Sequence, residues 1–135
     1  MRKITLSVIF AVIVFSGCNE TFVSTTSDCQ EISGKTFDTN DSTMVGNVKI
    51  RLTDFKGLEE AVDDTLGVSD SNGNFNISFC LGFKEIKEGN EITIYKFDSC
   101  TAMFSKTGYK DTIVTIKRSD TSYQSIKVFM KKADR

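Results

Sequence analysis

Histidine, proline and tryptophan are all absent from this chain of 135 residues. Without histidine there is no imidazole base, and so no Ser-His or Cys-His dyad. Zinc sites built on imidazole are excluded as well. The cysteines are too widely spaced, with no CxxC, to supply a thiolate set instead. No glycine-rich phosphate loop occurs. The paired carboxylates Glu59-Glu60 and Asp63-Asp64 sit in polar loop sequence and read as solvated charge. The expectation is therefore a protein that is not an enzyme, with no cofactor and no metal. With no proline or tryptophan and many Thr, Val, Ile and Phe, the composition favours strands over helices.

What is present begins with a leader. Arg2 and Lys3 give a charged start, and Ile4 to Phe15 is almost unbroken apolar chain. That run is well short of the roughly 20 residues a membrane-spanning helix needs, which fits an export signal over residues 1–17. Phe15-Ser16-Gly17-Cys18 resembles the lipobox of bacterial lipoproteins. The resemblance implies cleavage before Cys18 and acyl chains, palmitate among them, on that cysteine. Several chains hold a protein far more firmly than one, because each buried methylene adds about 0.8 kcal/mol. Asn19, where Asp can signal inner-membrane retention, favours the outer membrane of a bacterial cell envelope if the cell has one. Losing Arg2 and Lys3 takes the basic count from 17 to 15 against 18 acids, a net charge near -3. Nothing in that charge points to nucleic acid.

Residues 18–30, containing the polar run Asn19 to Asp28, read as a lipidated cysteine and a flexible tether. Residues 31–131 read as the folded domain and 132–135 as a fraying tail. The centre of that domain is Asp64 to Phe79: strand, tight turn, strand. Asp70-Ser71-Asn72-Gly73-Asn74 supplies a hairpin turn, and Phe75, Ile77 and Phe79 alternate with polar residues after it. Val48, Ile50 and Leu52 alternate with Lys49 and Arg51 in the same way, as do Ile126, Val128 and Met130 near the end. A first strand with a kink at Gly34 precedes them. Asp54 to Asp63 suits either a loop or one or two helical turns, and Leu81 to Asn90 reads as a charged loop. The sum is seven or eight short strands spaced at about 10 to 15 residues, an all-β antiparallel two-sheet sandwich.

Ile32-Ser33-Gly34-Lys35-Thr36-Phe37-Asp38, Met44-Val45-Gly46-Asn47-Val48-Lys49-Ile50, Asp70 to Phe75 and Phe104-Ser105-Lys106-Thr107-Gly108-Tyr109 occur in a telling order. In that order and rough spacing they resemble the carboxypeptidase regulatory-like domain. The resemblance covers most of Ile32 to Met130 and implies a transthyretin-like (prealbumin-like) β-sandwich, the accessory part of such enzymes and not their zinc site. Its motifs are turns and strand starts, which speak to fold and not to activity.

The candidate site residues are few. Cys29, Cys80 and Cys100 remain after Cys18, and two of them are expected to pair, in any of three ways. Asp70 to Asn74 lacks the Glu that an EF-hand needs at its twelfth position, where Leu81 stands, and Asp38, Asn40 and Asp41 read as a solvated strand connection. Tyr95, Phe97 and Tyr123 are candidates for an exposed aromatic patch that would stack on a sugar. The expected role is a lipid-anchored, non-catalytic interaction or structural module, with glycan binding as the alternative. Its partners would be the membrane through the anchor and a second envelope protein or a glycan.

Overall fold

In the computed structural model, which describes residues 21–134, eight strands form two four-stranded sheets packed face to face. The leader and Cys18 lie outside the described residues. The strands are β1 (Thr21–Asp38), β2 (Lys49–Lys56), β3 (Thr65–Val68), β4 (Asn74–Glu88), β5 (Glu91–Tyr95), β6 (Ser99–Ser105), β7 (Thr112–Lys117) and β8 (Tyr123–Met130). The first sheet runs β5-β4-β1-β8 and the second β3-β2-β6-β7. All strand pairs are antiparallel except β1 with β8, which is parallel and runs from Glu31↔Tyr123 to Asp38↔Met130.

Alternation builds the interior. Phe75, Ile77, Phe79 and Leu81 of β4 point inward, as do Ile50 and Leu52 of β2, Cys100, Ala102 and Phe104 of β6, and Val128 and Met130 of β8. Aromatic rings meet across the interior, with Phe79 edge-on to Phe97 at 5.4 Å and Phe75 against Phe104 at 5.4 Å. Such pairs add modestly to the large apolar area that each ring removes from water.

Several sequence expectations are corrected. The polar segment read as a tether is strand from Thr21 onward, in continuous register with β4 from Thr21↔Glu88 to Lys35↔Asn74. The same pairing makes Leu81 to Glu88 strand and not loop, and Gly89-Asn90 turns it into β5. Gly34 carries no kink, since the ladder runs through Gly34↔Phe75 without a shift. It is glycine because a Cβ there would lie 2.1 Å from the Ile126 carbonyl oxygen and 2.7 Å from the Phe75 ring. Asp54 to Asp63 contains no helix: β2 continues to Lys56 through an irregularity after Thr53, and Phe55 and Leu58 pack on the core. Residues 132–134 are tied down, with Ala133 N–H donating to the Gly108 carbonyl at 2.9 Å.

The stretch from Asp64 to Phe79 is strand, turn, strand, but no hairpin. β3 pairs with β2 and β4 with β1, so the turn carries the chain from one sheet to the other. The reason is facial. Gly67 of β3 meets Ile77 of β4 across the interior, where a Cβ would come within 2.9 Å of the Ile77 side chain. Gly73 adopts φ 79°, and the Asp70 carboxylate accepts the backbone N–H groups of Asn72 and Asn74, each at 2.9 Å. Those bonds, the one from Asn74 foremost, hold the Asp70 carboxyl below the ordinary carboxylate range.

Of the three possible cysteine pairings, the structure forms Cys29–Cys80 and leaves Cys100 free and buried. The two residues are direct partners across β1 and β4, on the outward face. The loop they close, with a sequence separation of 51 residues, corresponds to about 4 kcal/mol of lost chain entropy in the unfolded state. Cys29→Ser with Cys80→Ser should lower the unfolding free energy by that order in a urea titration. A change below about 1 kcal/mol would show that the strand ladder alone fixes this register.

Phe97, expected on the surface, is fully buried at the centre of the aromatic cluster. Phe97→Ala should therefore cost about 3–5 kcal/mol in the same titration, the usual toll of an emptied aromatic site. A loss no larger than that of Tyr123→Ala would place Phe97 back at the surface.

Candidate functional site

β1 is the strand from which the site is built, because between Asp28 and Asp38 it carries polar side chains into both ends of the sandwich interior. Its inward positions are Asp28, Gln30, Ile32, Gly34, Thr36 and Asp38. Each buried polar group there has a partner, and among the described residues no buried side-chain nitrogen or oxygen is left unsatisfied. Thr36 Oγ1 donates to the carbonyls of Val45 and, at 3.2 Å, Gly73. At one end Arg118 Nε donates to Asp28 Oδ2 at 2.9 Å, and Gln30 accepts the Ser119 N–H at 3.0 Å. The hydrogen bond to Asp28 raises the Arg118 guanidinium pKa further, so the arginine stays charged.

At the other end Asp38 is buried but well supplied with donors. Its Oδ1 accepts the Asn40 N–H at 2.8 Å, and its Oδ2 accepts the Tyr109 hydroxyl at 3.1 Å and faces Lys132 Nζ at 3.3 Å. The Asn40 N–H is the chief cause that holds the Asp38 carboxyl below its ordinary value, against the opposing effect of burial. Burial and the bond to Asp38 push the Tyr109 phenol up, and the same carboxylate raises Lys132. These groups are locked to one another and fasten the chain's end to β1.

A groove of about 310 Å³ lies where Leu58, Ala61 and Val62 approach the extended part of the first sheet. Thr25, Lys84 and Tyr95 form its other wall, and the strand registers align them in one row across β1, β4 and β5. Lys84 is ion-paired to Glu59, which raises its pKa and makes it a fixed cation instead of a base. The groove thus offers apolar contact and a neutralised charge pair.

Two further surfaces differ sharply. The outward face of the first sheet is polar over its middle, with Asn76 donating to Glu31 at 2.8 Å and Ser33 bonded to the Tyr123 hydroxyl at 2.9 Å, and carries the stacked Phe37–Phe129 pair at one end. The outward face of the second sheet is apolar around a basic centre. Leu66, Arg51, Met103 and Ile113 lie in one row across β3, β2, β6 and β7, with Val68 beside Lys49 in the next. Leu66 is 74 % exposed and Ile113 66 %. Asp64 holds Arg51, whose Nε donates to it at 2.7 Å.

The aromatic patch expected from Tyr95, Phe97 and Tyr123 does not form. Phe97 is core, while Tyr95 on β5 and Tyr123 on β8 stand on opposite edge strands of the first sheet. Alternation counts were misleading around Phe97 because the residue lies beyond the end of β5, where the strand's faces no longer apply. Among the described residues no group of three or more Cys, Asp or Glu is placed to hold a metal ion. Burial raises the Cys100 thiol to about 11, which makes it an inert core group.

No protein-family profile matches the chain, and no curated protein matches it in sequence. Solved structures do match. The 3-chlorocatechol 1,2-dioxygenase of Rhodococcus opacus 1CP aligns with a TM-score of 0.53 at 12% identity, over 80% of this chain and 61% of that one. The catechol 1,2-dioxygenase of Acinetobacter radioresistens aligns with a TM-score of 0.55 at 11% identity, over 81% of this chain and 53% of that one. The shaft pilin SpaA of Lactobacillus rhamnosus GG aligns more loosely, with a TM-score of 0.41 at 12% identity, over 81% and 52%. The chain thus spans little more than half the length of these neighbours, and the likeness is one of fold. It corrects the expectation that the chain is not an enzyme. Two neighbours with this sandwich are dioxygenases, so the fold gives no ground for excluding catalysis, and the lack of histidine removes only imidazole chemistry.

Asp38, with Asp41 and Asp70, contributes to the acid response. The folded-state pKa of Asp38 lies below the ordinary 3.8, so the unfolded chain holds the proton more tightly. The carboxylate therefore contributes stability above 3.8 that is lost as pH falls through the lowered folded-state value. The thermal midpoint should fall as pH drops below the ordinary 3.8, and Asp38→Asn should lower it at neutral pH and flatten that fall. An unchanged slope in the variant would contradict this assignment.

Proposed function

We propose that this protein is a lipid-anchored β-sandwich of the bacterial cell envelope, of the carboxypeptidase regulatory-like kind, acting as a protein-interaction or structural module. The observation that carries the reading is the contrast between the two outward faces. The first sheet's face is polar and internally hydrogen-bonded around Glu31, Ser33, Asn76 and Tyr123, with the stacked Phe37–Phe129 pair at one end, whereas the second presents exposed Leu66, Val68 and Ile113 and half-buried Met103 around Lys49 and Arg51. An exposed apolar row with an arginine at its centre is the composition of a protein-docking surface. The anchor is supported by Phe15-Ser16-Gly17-Cys18, and the outer membrane by Asn19. A glycan reading has lost the aromatic cluster it needed.

Two measurements test the reading. Metabolic labelling with a palmitate analogue should mark the protein and fail on Cys18→Ser; equal labelling of both would refute the anchor. A photo-reactive residue at Ile113 should give a discrete crosslinked adduct in intact cells, while the same residue at Asn76 should not. No adduct from Ile113, or the same adducts from both positions, would refute the docking face.

A further inference from the structure

We infer that the tip of the first sheet is a membrane-contact surface, dipping its apolar side chains into the bilayer interface beside the anchor. The inference rests on the anchored reading above and adds how the domain is held. The first sheet outruns the second: Thr21 to Ser27, Gly82 to Glu88 and β5 form a three-stranded blade, and β5 packs against no strand but β4. At its tip Phe22, Lys87 and Ile92 lie in one row, with Ser24, Glu85 and Ile94 in the next. Phe22, Ile92 and Ile94 therefore share a face, and they are 62 %, 56 % and 52 % exposed. Val23, also exposed, points to the opposite face beside Ile86.

What covers this tip follows from chain length. Only Asn19 and Glu20 separate Cys18 from the first residue of β1. Three residues span at most about 11 Å, whereas each headgroup layer is about 5–8 Å deep. A domain acylated on Cys18 therefore keeps this tip within a few ångströms of the headgroup layer, and four exposed apolar side chains lie close to the interface. Lys84 and Lys87 are outnumbered by Glu85, Glu88 and Glu91, so apolar insertion and not attraction to anionic lipid would hold the tip.

The absence of native tryptophan gives a clean test. Phe22→Trp, Ile92→Trp and, as a control, Phe129→Trp are made in the full chain, expressed with its leader in a bacterial host that labels lipoproteins. Phe129 is opposite Phe37 at the far end of β1, roughly 50 Å from Phe22 along an extended strand. In phosphatidylcholine vesicles carrying brominated acyl chains, tryptophan at positions 22 and 92 should lose most of its emission, while at position 129 it should not. Labelled protein with unquenched tryptophan at 22 and 92 would overturn this inference and leave the anchor standing. Protein without label would overturn both.

Discussion

The ladder between β1 and β4 is the constraint on which the sandwich depends. β1 is the only strand of the first sheet with its partners on both sides drawn from distant parts of the chain: β4 antiparallel on one flank and β8 parallel on the other. A parallel partner cannot come from a tight turn, so β8 must travel through the second sheet before it returns. The disulfide between Cys29 and Cys80 sits within the ladder and fixes which residues face each other. Once that register is set, Phe75, Ile77, Phe79 and Leu81 all point toward the second sheet.

β1 contributes little apolar surface of its own. Its inward positions on either side of Ile32 and Gly34 are polar, and they hold the ends of the sandwich by directed bonds: Asp28 with Arg118, Gln30 with Ser119, Thr36 with two carbonyls, Asp38 with Tyr109 and Lys132. Burying such groups costs several kcal/mol each when they are unpaired, so their complete pairing is a requirement of the fold. It also gives specificity, since a one-residue slip would turn every one of these groups away from its partner.

These features explain what the sequence made legible. Val48, Ile50 and Leu52 alternate cleanly because β2 buries one face against the first sheet, and Ile126, Val128 and Met130 do so for the same reason. Asp70 to Gly73 announced a turn through its own local bonds, but which strands it joined was set by the far side of the sandwich. The segment Thr21 to Ser27 was illegible as strand because it leaves the sandwich and buries neither face, so no hydrophobic period exists to be read. Leu81 to Glu88 was lost in the same way beyond its first residue. The row of Leu66, Arg51, Met103 and Ile113 could be assembled only from the registers of four strands, two of which are distant in sequence. The cysteine pair, too, emerged from the β1–β4 register and not from spacing.

The blade decides whether this domain sits on a tether or is held directly at its attachment point. Amide hydrogen exchange on the folded protein reads this most directly. The N–H groups of Thr21 to Ser27 that face β4 should be protected and should lose protection together with those of Gly82 to Glu88. Exchange of Thr21 to Ser27 at the rate of an unstructured chain, with Phe75 to Leu81 still protected, would show a free tether and contradict the extended β1.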